Sequence, residues 1–163
     1  SLRGLKRDLL EGGHRVPFIA SWPRGGIKDG RQLDATLSLT DLLATIAGIL
    51  DVPLADAVAE DSLNILPTLL SDKSVRKELV YHAANGKLGL RQGDWAYLRP
   101  GGITEEPLWF QKYWQGDTIK ATALLFNLST DLAQKTNLFT RGFKRIKRME
   151  QRLSIIEKGK STR

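Results

Sequence analysis

The sequence has 163 residues, no cysteine and two histidines. The absence of thiols excludes disulfides, thiolate metal sites and a cysteine nucleophile within these residues. It does not define a compartment, because exported proteins can lack cysteine as well. His14 and His82 lie far apart, with no H-x-x-H spacing that would hold a metal, and lone histidines of this kind are ordinarily structural or solvated. Neither a G-x-S-x-G elbow nor a phosphate-binding glycine loop occurs. No apolar run approaches the ~18 residues of a membrane span. Nor does a basic segment followed by an apolar one mark a signal peptide. The residues carry no address of their own, so localisation stays open.

Charge of one sign is scarce until the very end. The formal net charge is +7, yet residues 1–140 hold sixteen Lys/Arg against sixteen Asp/Glu, whereas residues 141–163 hold nine against two. In that tail Phe143, Ile146, Met149, Leu153 and Ile156 recur at spacings of three and four, which draws one apolar stripe along a helix. The expectation is a terminal helix packed by this stripe, with its Lys and Arg solvated. A polyanion or membrane-surface contact is the sharper alternative. Elsewhere no basic and aromatic residues interleave and no nucleic-acid module is found, so a nucleic-acid partner is not expected.

The punctuation of the chain is regular. "VPFIASWP", residues 16–23, is an apolar run bounded by prolines and predicts a strand covered on both faces. "RGGIKDG" predicts a surface turn. In "LSLTDLLATIAGIL", Ser38 and Asp41 have capping-box spacing and Leu42, Leu43, Ile46, Ala47 and Leu50 mark one helical face, stopped by Asp51-Val52-Pro53. "LNILPTLL" predicts a short helix or turn. From Glu78 the period changes. Asn85-Gly86 between two strand-like runs predicts a hairpin, "QGD" a second turn and "ATALLFNLS" a further strand. The fold class read from this pattern is α/β, with a small antiparallel sheet in the second half packed by the terminal helix. The expected division is 1–72, the end of an α/β core, and 73–163, the antiparallel subdomain.

Five phrases, in order, resemble the C-terminal portion of the sulfatases, arylsulfatase-like enzymes of the alkaline-phosphatase-like superfamily. "LRGLKRDLLEGGHRVPFIASWP" is similar to the family's lysine-centred segment running into Glu-Gly-Gly-x-Arg-x-Pro. "LSLTDLLATIAGILDVP" resembles its Ser/Leu-x-Asp-Leu/Ile-x-x-Thr helix. "EDSLNILPTLL" resembles Asp-Gly-x-Ser-Leu-x-Pro-x-Leu, with Ser62 where glycine is customary. "LGLRQGDWAYL" and "LFNLSTDLAQKTNLF" resemble the Arg-x-Gly-Asp-Trp-Lys hairpin and the closing Leu-Tyr-Asp-Leu-x-x-Asp-Pro-x-Glu-x-x-Asn-Leu motif.

The resemblance implies hydrolysis of sulfate esters, by a formylglycine hydrate attacking sulfur while calcium and cationic side chains hold the sulfate oxygens. It assigns Lys6 to contact with the sulfate group. His14 and His82 become candidates for the substrate-pocket wall, and Trp109, Phe110, Tyr113 and Trp114 a candidate stacking platform. No catalytic residue and no metal ligand is carried over. "SWPRG" is rejected as the Cys/Ser-x-Pro-x-Arg source of formylglycine, because Gly25 fills the arginine's place and Ser21 lies in the predicted strand. The family's Asp-Asn metal pair is expected shortly before residue 1, so this chain alone is expected to bind no calcium and to be inactive. A longer parent, bacterial in style, would be periplasmic or secreted if a signal peptide lies upstream. Glu11, Gly12, Gly13, Arg15 and Pro17 read as architecture, with Arg15 paired to Glu11 or Asp41. An exposed first strand is expected to promote self-association. The alternatives are a phosphate or phosphonate ester hydrolase of the same superfamily, and a non-catalytic polyanion-binding module.

Overall fold

The computed structural model describes residues 1–28, 30–55, 57–71, 73–103 and 123–159. They form two units, Ser1–Val16 with Val80–Lys158, and a second built on Pro17–Leu79. The two interleave along the chain: the first sixteen residues belong with the later sheet and not with the segment that follows them. No described helix is long and apolar enough to cross a membrane. The tryptophans, phenylalanine and tyrosine at 109–114 lie outside the described residues.

The first unit is organised by a four-stranded sheet in the order β1 (Glu78–His82), β2 (Leu88–Gln92), β3 (Trp95–Leu98), β4 (Leu124–Asn127). Short turns make β1, β2 and β3 consecutive neighbours, and β4 pairs antiparallel with β3. Gly86, at φ +77°, occupies a backbone region that side chains disfavour, and the Ala83 N–H donates across this turn to the Lys87 carbonyl at 2.8 Å. Gly93-Asp94 closes the β2–β3 turn, with Gln92 opposite Trp95.

Alternation then divides the sheet's side chains into two cores. Ala96, Leu98, Leu124 and Phe126 pack with Leu9 and Leu10. Tyr97 and Leu125 face the other way and pack with Leu90 and Ile146, Met149, Leu153 and Ile156 of the terminal helix, Phe143–Gly159. Phe143 departs from the expected stripe and is exposed. At ~100° per residue it lies about a quarter turn from the centre of the other four.

The second unit contains α2 (Asp41–Ile49) and α3 (Leu66–Ser71), and its polar interior is more complete than its apolar one. (The label α1 is given to the single turn Glu11–His14, and α4 to the terminal helix.) The fully buried Asp41 carboxylate accepts from the N–H groups of Ser38 and Leu63, each at 2.9 Å, and from Arg76, whose Nε stands at 2.9 Å. Ser62 supplies an acceptor that a glycine could not. Its Oγ accepts from the Ala44 N–H of α2 at 2.9 Å. Thr45 Oγ1 accepts from Ile65 N–H at 3.0 Å.

Two expectations fail here for one physical reason. Residues 16–21 pair with no strand among the described residues, and Ile19 is 93% exposed. On α2 the buried residues are Asp41, Ala44, Thr45 and Ala47, while Leu43, Ile46 and Leu50 are exposed. Periodicity and run length identify what a segment can bury, but burial needs a neighbour. None of the described residues covers either surface.

Candidate functional site

Lys6 sits at the tip of a turn whose every support is visible. Asp8 N–H donates to the Leu5 carbonyl at 3.0 Å, and Leu5 N–H donates back to Asp8 Oδ2 at 2.9 Å, so Lys6 and Arg7 occupy the two central positions. Arg7 has φ +97°, a strained value for a side-chain-bearing residue, and it persists because the surroundings fix it. Its carbonyl accepts from Ala84 N–H at 3.0 Å, which ties the turn to the β1–β2 hairpin. Leu9 N–H donates to the Gly102 carbonyl at 3.0 Å, and Gly12 N–H to the Arg3 carbonyl at 2.7 Å.

The two glycines of "EGGH" are explained by close approach. A Cβ at Gly13 would stand 2.5 Å from the Asp8 carbonyl oxygen and 2.6 Å from that of Leu5; one at Gly12 would stand 2.7 Å from the carbonyl oxygens of Arg3 and Gly4. Any side chain there would push the Lys6 turn off its seat. Lys6 itself is exposed.

Beneath the turn, Glu11 is the hub of a buried charged cluster. Its carboxylate accepts from Arg15 and lies 3.6 Å from both Arg91 Nη1 and His14 Nε2. Of the two partners expected for Arg15, Glu11 is the one found; Asp41 is taken by Arg76. Burial alone would raise the Glu11 pKa, but the nearby His14 and the Arg15 hydrogen bond outweigh it and hold it below the ordinary value. Burial, with the Glu11 charge adding to it, pushes the Tyr81 phenol up. The closing motif reaches this hub through Gln134, whose Oε1 accepts from Glu11 N–H at 2.7 Å and whose carbonyl accepts from Arg3 Nη1 at 3.2 Å.

The two histidines therefore differ. His14 is drawn toward the hub, its ring 4.3 Å from that of Tyr81. His82 is exposed, two residues before the Ala84 that holds the Lys6 turn, and its Nδ1 lies 3.1 Å from the Ala83 carbonyl. A carbonyl only accepts, so a hydrogen bond at this contact requires the proton on Nδ1. Tyr81, Arg91 and Gln134 were not singled out from sequence. For Gln134 the one available signal was its place inside the closing motif.

No family model matches the chain. Among curated proteins it is 33% identical over 137 residues to N-acetylgalactosamine-6-O-sulfatase of Bacteroides thetaiotaomicron, covering 83% of this chain and 26% of that one. It is 26% identical to arylsulfatase K of Xenopus laevis over 93% of this chain and 27% of the relative. A solved 6S-sulfatase structure, from work on glycosaminoglycan metabolism by B. thetaiotaomicron, superposes on 96% of this chain and 32% of its own with a TM-score of 0.81 and 27% identity. Ps i-CgsB, at 20% identity and a TM-score of 0.72 over 94% of this chain and 31% of that one, shares the fold. The chain spans about a quarter of the length of these two curated relatives. With the ordered motifs and the superposition in agreement, the chain belongs to the sulfatases and corresponds to the C-terminal portion of their alkaline-phosphatase-like fold.

Proposed function

We propose that this chain works within a longer sulfuric ester hydrolase, as the segment that delivers the Lys6 ammonium to the sulfate group of a sulfate ester. The observation that carries this reading is the built support of Lys6. An exposed cation stands on a strained turn pinned by the β1–β2 hairpin, the loop after β3 and the glycine pair. A lysine with no protein partner among the described residues, on so fixed a seat, suits a group whose partner is a ligand. Cleaving the ester builds negative charge on the departing and sulfate oxygens, and a cation already in place stabilises that charge without reorganisation. His82, exposed beside the hairpin that holds the turn, and His14 would form part of the pocket wall. The curated bacterial relative is named for N-acetylgalactosamine 6-O-sulfate, which makes a sulfated sugar the favoured substrate class.

Formylglycine, the family's nucleophile, would supply the attack on sulfur and calcium the oxygen clamp. The residues present fit neither. No cysteine occurs, the serine alternative at Ser21 lacks its arginine, and among the described residues no group of three or more His, Asp or Glu is placed to hold a metal. No step is derived through either group. The rest of a longer parent would have to bring both, and the chain by itself would turn over no sulfate ester. Left alone, it would self-associate through its exposed apolar run and α2 face.

The test compares p-nitrophenyl sulfate hydrolysis, with calcium present, by the isolated chain and by the longer enzyme encoded with its upstream sequence. Turnover by the second alone is expected. Turnover by the isolated chain, or none by the longer enzyme, would overturn the reading.

A further inference from the structure

We propose that the outer face of α4 is a binding strip for an extended sulfated polysaccharide, a second contact besides Lys6. The strip follows from how α4 sorts its charges. Ile146, Met149, Leu153 and Ile156 are buried against the sheet. On the opposite side, at ~100° per residue, fall Lys144, Lys147, Arg148 and Lys158, all exposed. The helix has two acids, Glu150 and Glu157, and both lie on the flank beside the buried stripe, where Arg99 takes them. Its Nη2 is 2.8 Å from Glu150 and its Nη1 2.9 Å from Glu157. Tyr97 Oη adds a bond to Glu150 at 2.8 Å. Neither acid reaches the outer face, and the four outer cations form no ion pair among the described residues.

A face kept merely soluble mixes signs, since oppositely charged neighbours three or four residues apart support a helix and like charges repel. Here Lys144 repels both Lys147 and Arg148, while residues 1–140 are balanced. From Lys144 to Lys158 the strip is about 21 Å long at 1.5 Å per residue, which suits a linear polyanion. A membrane is disfavoured, because the apolar stripe that would enter it is packed on the sheet and the exposed Phe143 and Ile155 are isolated side chains. Nucleic acid is disfavoured because no aromatic side chain interleaves with the four outer cations to stack on bases.

The choice of a sulfated chain rests on the sulfatase reading. Binding is read without turnover, however, so failure of the strip leaves Lys6 and hydrolysis untouched, and an inactive parent leaves the strip's binding measurable.

The experiment titrates the full chain with chondroitin sulfate by calorimetry at several salt concentrations. The affinity is expected to fall linearly on logarithmic axes as salt rises. Replacing Lys144, Lys147, Arg148 and Lys158 together by Gln should weaken binding at least ~10-fold with Tm unchanged, and converting the three lysines to Arg should retain it. A control set on other surfaces, Lys28, Lys73, Lys77 and Lys87 to Gln, should stay within about twofold. The proposal is overturned by an unaffected strip variant, by equal losses from both sets, or by failure of the Arg variant to bind. Equal or tighter binding of unsulfated hyaluronan, duplex DNA or phosphatidylserine vesicles would overturn it as well.

Discussion

In the sheet unit both faces of β1–β4 are covered, one by Leu9 and Leu10 and the other by α4, and the polar residues sit at defined hubs around Glu11 and Arg99. In the Pro17–Leu79 unit the interior of α2 is Asp41, Ala44, Thr45 and Ala47, while Leu43, Ile46 and Leu50 face solvent. The first unit is held mainly by apolar burial. The second is held by polar clamps, with its large side chains unspent. An element can thus be fixed in place by buried hydrogen bonds while its hydrophobic surface still awaits a neighbour, and the two kinds of support should fail in different ways.

The sharpest break between them comes from Asp41→Ala, which leaves the buried Arg76 guanidinium uncompensated and should cost about 3–5 kcal/mol, confined to the second unit. Hydrogen exchange should quicken across α2 and leave β3 protected; loss of protection in both would erase the distinction. Phe126→Ala is the counterpart in the sheet unit, at about 3–5 kcal/mol, read as a fall in thermal stability with α2 exchange unchanged.

Gly13→Ala is smaller, about 1–3 kcal/mol of crowding against the Asp8 and Leu5 carbonyls. It should lower the activity of the longer enzyme more than its Tm, because the displaced part is the Lys6 turn. Acid should weaken the sheet unit through Glu11 and Glu150. Glu11 and Glu150 are both held below their ordinary value of 4.5, so their stabilisation is present above that pH and is lost as pH falls through the depressed folded values. A Tm profile from pH 7 to about pH 3 should drop at its acid end, and Glu11→Gln should flatten part of the drop. Least costly is Leu43→Ser with Ile46→Ser, within about 0.5 kcal/mol because both side chains are exposed. Light scattering should nonetheless show reduced self-association.

The sheet unit was the more legible of the two. Asn85-Gly86 and Gly93-Asp94 are local signals, and the turns they mark join β1 to β2 and β2 to β3. Ile146, Met149, Leu153 and Ile156 named the packed face of α4 through periodicity alone. The exposure of residues 16–21 was expected, but the strand itself did not form and the α2 face was misread, because apolar character reports only a capacity for burial. At the site, the lysine-centred phrase located Lys6 but not its supports. Gln134 lies 123 residues from Glu11, and a contact of that separation leaves no periodic trace. Gly12 and Gly13 were readable as a turn of close backbone approach, but not which carbonyls approach them.

The most direct measurement is the hydrolysis of p-nitrophenyl sulfate by the longer enzyme carrying Lys6→Ala. Loss of a preorganised cation from the sulfate oxygens predicts a fall in kcat/KM of at least ~100-fold, with Tm unchanged because Lys6 is exposed and its side chain supports none of the described residues. A variant that keeps its kcat/KM would contradict the account.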